Sequence, residues 1–181
     1  YEVYVPAGDG ETMMEQLWSA AQARGGCLYG VEALDTLRLE KGHITGAELD
    51  GRVTIDDVGL GKMASSSKSY IGSVLRQRPD LQRQDRPRLV GIFPKDRSKR
   101  FNAGALLAGA GTNSGFGDGW ITTAAYSPAL GHWIGLGFIA GGHVDWQDRP
   151  AVALDPTHDQ TIAVEIVAPQ MYDPEGARMH V

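Results

Sequence analysis

A chain of 181 residues can bury one sizeable core or two small ones, and 42% hydrophobic with 22% charged residues is the balance of an ordinary globular protein. No apolar run approaches the roughly 18 to 20 residues that span a bilayer, so a soluble protein with no membrane partner is expected. Twenty-two acidic against 17 basic residues, a net charge of -5, argue against whole-surface partnership with nucleic acid or an anionic membrane.

Residues 1 to 6, YEVYVP, alternate as a strand does, with Tyr1, Val3 and Val5 on one side and Glu2 and Tyr4 on the other. The strand starts abruptly, without initiator methionine or signal peptide, which leads to the expectation of a piece of a larger polypeptide whose pairing strand lies upstream of Tyr1. GDGE at 8–11 is a turn signal, and Met13, Met14, Leu17, Trp18 and Ala21 recur at helical spacing over about 12–24 until Gly25 and Gly26. Cys27 is the only cysteine. It excludes an intrachain disulfide and a cysteine zinc site, suits a reducing cytoplasmic compartment, and is expected to pack beside the helix end rather than react.

A second helix is expected over about 30–41, with Val31, Leu34 and Leu37 inward, Leu39 a further candidate, and Gly42 closing its end. Two readings of LDTLRLEKGHITGAELD, 34–50, stand side by side. Arg38, Glu40 and Lys41 form either the solvated face of a capped helix or the wall of a pocket whose ligand meets His43. TIDDVGLGKMAS, 54–65, reads as a turn and short strand, and a serine-capped short helix runs through Arg78 to Pro79. The polar, proline-bearing PDLQRQDRPR, 79–88, is the strongest domain boundary, placed near residue 86.

Beyond it LVGIFP, ALLAGAG, WITTAAYS, HWIGLGFIA, PAVAL and TIAVEIVA are six short strands divided by glycine, proline or aspartate turns. The expected fold class is α+β: a mixed α/β part over 1–86, then a small all-β barrel or jelly-roll-like domain over 87–181. KDRSKR, 95–100, is a solvated loop or a local anion site. GAGTNSGFGDG, 109–119, lacks the lysine and helix of a phosphate loop and reads as a hairpin turn; GLGKMASS lacks that loop's spacing as well. The five histidines show no metal-ligand spacing and no serine elbow is present, so neither a metal site nor a serine hydrolase is expected.

Glu2 has two readings from the residues alone. It is a solvent-facing carboxylate, or it accepts two parallel hydrogen bonds from a flat amino-pyrimidine edge.

GVEALDTLRLEKGHITGAELDGRVTIDDVGLGKM resembles a segment of the glycine-cleavage T-protein (aminomethyltransferase) superfamily, Gly-x-x-Ala-Arg-Asp-x-Leu-Arg-Leu-Glu-x-Gly followed by a Gly-x-Glu-Leu turn and Gly-Leu-Gly. LRLEKGHITGAELD, LGKMASSSKSYIGSVL, YSPALGHWIGLGFI and DPEGARMHV are similar, in order and over essentially the whole chain, to the C-terminal end of the sarcosine oxidase alpha-subunit branch. This resemblance implies a tetrahydrofolate-binding region that captures the one-carbon unit of oxidised sarcosine as 5,10-methylenetetrahydrofolate. It implies that Glu2, with Tyr1 beside it, grips the pterin ring. Leu34 stands where the T-protein pattern has arginine and His43 where it has a ligand-facing tyrosine. Arginine contacts therefore do not carry over, and His43 either replaces an aromatic ligand contact or bonds the free carbonyls of the helix end, while Arg38 and Glu40 join a structural salt-bridge network.

The superfamily's catalytic aspartate has no match here, so no catalytic residue is assigned and the chain alone should hold half a site. FAD, FMN and NAD belong to the intact complex and not to this segment. The implied partners are the remainder of the alpha subunit, the other sarcosine oxidase subunits and folate. Two alternatives are a non-catalytic folate-binding or assembly module, marked by an exposed Trp133–Ile134 patch, and a dimethylglycine dehydrogenase-like relative.

Overall fold

The computed structural model describes residues 1–111 and 117–180 and divides the chain into a compact unit of residues 1–34 and a larger one of residues 35–181. In the first, a 3-10 turn at Ala7–Asp9 leads into helix α1, Gly10–Gln22. Residues 1–6 pair with no strand, which corrects the expected strand. Alternation supplies faces, but a strand also needs a neighbour to take its backbone hydrogen bonds. No side chain of this unit is buried; Met14 and Leu17 on the apolar stripe of α1 are about half exposed. Cys27 is likewise exposed and not packed as expected.

The division between the units falls within helix α2, Val31–Glu40, whose buried residues lie in its last turn. Leu39 and Glu40 are buried, whereas Val31, Leu34 and Leu37, expected inward, are all at least half exposed. Residues 54–65 form turns and a 3-10 segment at Gly61–Met63 where a short strand was expected. Helix α3 is a single turn, Ser73–Arg76, with Gly72 rather than a serine at its N-cap.

Six strands then follow: β1 (Pro87–Pro94), β2 (Leu106–Gly109), β3 (Gly119–Ser127), β4 (His132–Ala140), β5 (Ala151–Asp155) and β6 (Gln160–Val167). They close into a barrel in the order β1-β4-β3-β2-β5-β6, every pairing antiparallel. The α+β class with an all-β barrel is thereby established, and closure leaves no free sheet edge to cover. Of the stretch 109–119, read as a hairpin turn, residues 112–116 lie outside the described residues.

Strand β4 shows why HWIGLGFIA is apolar throughout: both of its faces are buried. Inward, Ile139 joins Val90, Ile92, Leu107, Ile121 and Val164 in the barrel interior. Gly135 and Gly137 share that inner face, where a Cβ would collide with the Phe101 ring and with Ile92 and the Trp120 carbonyl. Outward, Ile134, Leu136 and Phe138 form a second core with Leu39, Val58 and Leu89. This outer core fixes the end of α2 and the 44–58 segment against the barrel wall. Trp120 and Phe138 stack there at 5.4 Å, and Arg52 lies over the Trp120 ring.

Candidate functional site

The expected ligand contacts begin at Glu2. Its carboxylate is exposed and accepts a hydrogen bond from the Tyr4 hydroxyl, two residues on and on the same side of the extended segment, as the alternation predicts. That bond is what holds the Tyr4 hydroxyl above the usual phenol range. Tyr1 is fully exposed and Leu34 half exposed, and the Leu34 amide donates to the Gly30 carbonyl. This stretch thus presents a carboxylate braced by one tyrosine, with no paired strand beneath it.

His43 belongs to the larger unit, and its backbone completes the end of α2. The Gly42 amide donates to Leu39 and the His43 amide to Arg38, a left-handed C-terminal cap with Gly42 at φ +70°. The Gly-His pair that interrupts the amphipathic helix is thus a cap first. Its imidazole is exposed and lines an open cleft of about 750 Å³. Gly42 has a second constraint, because a Cβ there would sit on the Pro169 carbonyl. That close approach comes from the C-terminal strap: the amides of Met171 and Tyr172 both donate to the Glu40 carbonyl, and Lys41 donates to the Asp173 carbonyl at 2.6 Å.

Behind this cap Arg38 anchors a polar network. Its guanidinium donates to Asp35 at 2.6 Å, Glu48 at 2.9 Å and the Thr123 hydroxyl at 3.0 Å. Glu48, only 1% exposed, accepts further bonds from the Thr45 amide and from the hydroxyls of Thr122 (2.6 Å) and Thr123 (2.8 Å). Successive strand residues ordinarily face opposite ways, but a register shift between Ile121 and Thr123 marks a bulge in β3 that lets both threonines reach one carboxylate. Burial pushes Glu48 up, yet the donors from Thr122, Thr45 and Thr123 together with the Arg38 charge outweigh it, and its carboxyl titrates below the usual range. Glu40 is buried too, and it accepts from the Ser127 hydroxyl rather than from a cation. Sequence reasoning placed Arg38 and Glu40 in a structural salt-bridge network, which holds for Arg38 and not for Glu40, and it missed Glu48, Thr122 and Thr123. The signal was present in part, as an acidic residue inside the Gly-x-Glu-Leu turn.

The Trp133–Ile134 patch that would have marked an assembly module does not exist. Ile134 is fully buried, and Trp133 is partly covered with the Arg100 guanidinium 4.5 Å above its ring. KDRSKR is exposed, with Arg97 paired to Glu165. Among the described residues no helix is long and apolar enough to cross a membrane, and no group of histidine, cysteine and acidic side chains is placed to hold a metal.

The GCVT N-terminal domain model matches residues 1–68, and the glycine cleavage T-protein C-terminal barrel domain model matches residues 88–173. The chain belongs to the glycine-cleavage T-protein family. Among members of this T-protein family and its relatives, the chain is 36% identical to sarcosine oxidase subunit alpha of Rhizobium meliloti (strain 1021), over all of this chain and 18% of that one. It is 35% identical to the same subunit of Corynebacterium sp. (strain U-96), over 98% of this chain and 19% of that one. Aminomethyltransferase of Francisella tularensis subsp. tularensis (strain WY96-3418) is 30% identical over 94% of this chain and 44% of that one. The crystal structure of glycine cleavage system aminomethyltransferase T from Bartonella henselae shares the T-protein fold, with a TM-score of 0.68 at 20% identity over 94% of this chain and 45% of that one. The chain thus spans about a fifth of the sarcosine oxidase relatives and less than half of the aminomethyltransferases.

Proposed function

We propose that this chain is the folate-binding C-terminal part of a sarcosine oxidase alpha-type subunit, helping to pass the one-carbon unit of oxidised sarcosine to tetrahydrofolate as 5,10-methylenetetrahydrofolate. The observation that carries the reading is similarity to sarcosine oxidase subunit alpha along the whole chain, at higher identity than to the aminomethyltransferase relatives. In this reading residues 1–86 complete the folate-binding domain and residues 87–181 form the barrel beside it. Its partners are the rest of the alpha subunit and the other subunits, which hold FAD, FMN and NAD and contribute the catalytic group.

Glu2 is the pterin contact, with Tyr1 next to it. Two parallel acceptor oxygens suit the adjacent N–H donors of an amino-pyrimidine edge, and the Tyr4 hydroxyl limits how the carboxylate turns. Leu34 offers apolar surface where an arginine would offer charge, and His43 stands in for a ligand-facing aromatic.

The test uses the protein purified from its native cells, supplied with sarcosine and tetrahydrofolate. The expected product is 5,10-methylenetetrahydrofolate, and Glu2→Ala should weaken tetrahydrofolate binding at least tenfold, about 1.4 kcal/mol. Sarcosine oxidation that yields only free formaldehyde would overturn the folate role. Unchanged affinity in Glu2→Ala would remove Glu2 from the site.

A further inference from the structure

The cleft at the end of the barrel is walled by the α2 cap, the 56–60 turn, the start of β1, the Gly141–Gly142 turn after β4, and the C-terminal strap. Its charged side chains are mostly spoken for. Both oxygens of Asp56 are held by Arg76 at 2.6 Å, Asp57 is held by Arg86, and Lys41 by Asp173. Arg88 is the exception: half-buried on β1, its guanidinium has no hydrogen bond, ion pair or ring contact among the described residues. Its charge acts on Asp56, whose carboxylate is already held through both oxygens by Arg76. The aliphatic stem of Arg88 lies across Gly142, where an added Cβ would come within 3.1 Å of it, so the side chain is supported along its length. The accessible apolar lining of the cleft comes from the half-buried Ile44 and the exposed Leu60 and Val144.

We infer that this cleft binds a monocarboxylate with an apolar body, its carboxylate held by Arg88 and its body lying on Ile44, Leu60 and Val144. A planar guanidinium with free donors matches a carboxylate through two parallel hydrogen bonds, and apolar walls reward a ligand that carries carbon behind its charge. The three lining carboxylates, Asp56, Asp57 and Glu175, oppose a more highly charged anion such as a phosphate dianion. The cleft shares His43 with the folate reading, but Arg88 and Val144 belong to the cleft alone.

Phenylacetate is the probe, titrated calorimetrically into the intact protein. Saturable binding is expected. Arg88→Met, which keeps an unbranched stem over Gly142, should weaken it at least tenfold, and Val144→Asp, at an exposed wall position, should also weaken it. Inorganic phosphate should compete at least tenfold less well, and Glu2→Ala should leave phenylacetate binding unchanged. Absence of saturable binding, unchanged affinity in Arg88→Met or in Val144→Asp, phosphate competing as well as phenylacetate, or loss of binding in Glu2→Ala would each overturn the assignment.

Discussion

Arg38 and Glu48 meet at 2.9 Å under the outer wall of the barrel, with side chains 10% and 0% exposed. The pair joins the last turn of α2 to the turn that follows it, and Thr122 and Thr123 join both to β3. Removing one member of a buried pair leaves a charge without compensation, which typically costs about 3–5 kcal/mol. Arg38→Ala should therefore lower unfolding free energy by about that amount in urea titrations. A loss below about 1 kcal/mol would mean that the threonine donors alone satisfy Glu48.

The same carboxylate predicts how stability depends on pH. Glu48 and Asp57 both titrate below their ordinary values in the folded chain, each against the opposing effect of burial: Glu48 through its threonine donors and Arg38, Asp57 through Arg86 and Thr54. A carboxylate depressed by folding stabilises above its unfolded pKa, about 4.3 for glutamate and 3.9 for aspartate, and loses that contribution as pH falls through the folded value. Stability should be flat from neutrality to about pH 5 and decline below about pH 4. Glu48→Gln should be less stable at pH 7 and show a shallower acid decline. Parallel pH curves for the two proteins would exclude Glu48 as a contributor.

Gly42 combines a left-handed backbone with direct contact to the strap. At φ +70° any side chain is disfavoured by about 1–2 kcal/mol, and the overlap with Pro169 adds to that. Gly42→Ala should lower the melting temperature and loosen the strap, seen as faster hydrogen exchange at the Met171 and Tyr172 amides, which donate to Glu40. Unchanged exchange there would show that the strap is held independently of the cap.

All six strands were legible in the sequence because short apolar runs separated by Gly, Pro and Asp carry their own punctuation. Their order around the barrel was not, since nothing local to β1 says that its neighbours are β4 and β6. The helix 31–40 was legible from its spacing, but its covered side was not. The periodicity of Val31, Leu34 and Leu37 defines a stripe without saying what lies against it, and what this structure buries is Leu39. Neither 1–6 nor 54–65 forms a strand: at 1–6 alternation supplies two faces without a paired neighbour, and 54–65 closes into turns. Glu2 and His43 were singled out from the residues and then supported by resemblance, whereas Glu48 went unnoticed because two of its partners lie 74 and 75 residues downstream and depend on a bulge. Arg88 was invisible for a related reason: a guanidinium without a hydrogen bond or ion pair is recognised only once the partners of Asp56 and Asp57 are known to be Arg76 and Arg86.

Two leucines two residues apart in α2 test that account of burial. Leu39 is fully buried in the outer core against the barrel, while Leu37 is about half exposed. Truncating a fully buried leucine removes its transfer free energy and leaves a cavity, about 2–5 kcal/mol together. Leu37→Ala loses little burial and gains slightly in helix propensity, so its effect should stay within about 1 kcal/mol. Urea unfolding of the two variants of this chain should therefore separate widely, with Leu39→Ala shifted to a lower midpoint at similar slope. Equal losses would mean that α2 is covered on the Leu37 side as well, and that its apolar stripe, not its last turn alone, holds it in place.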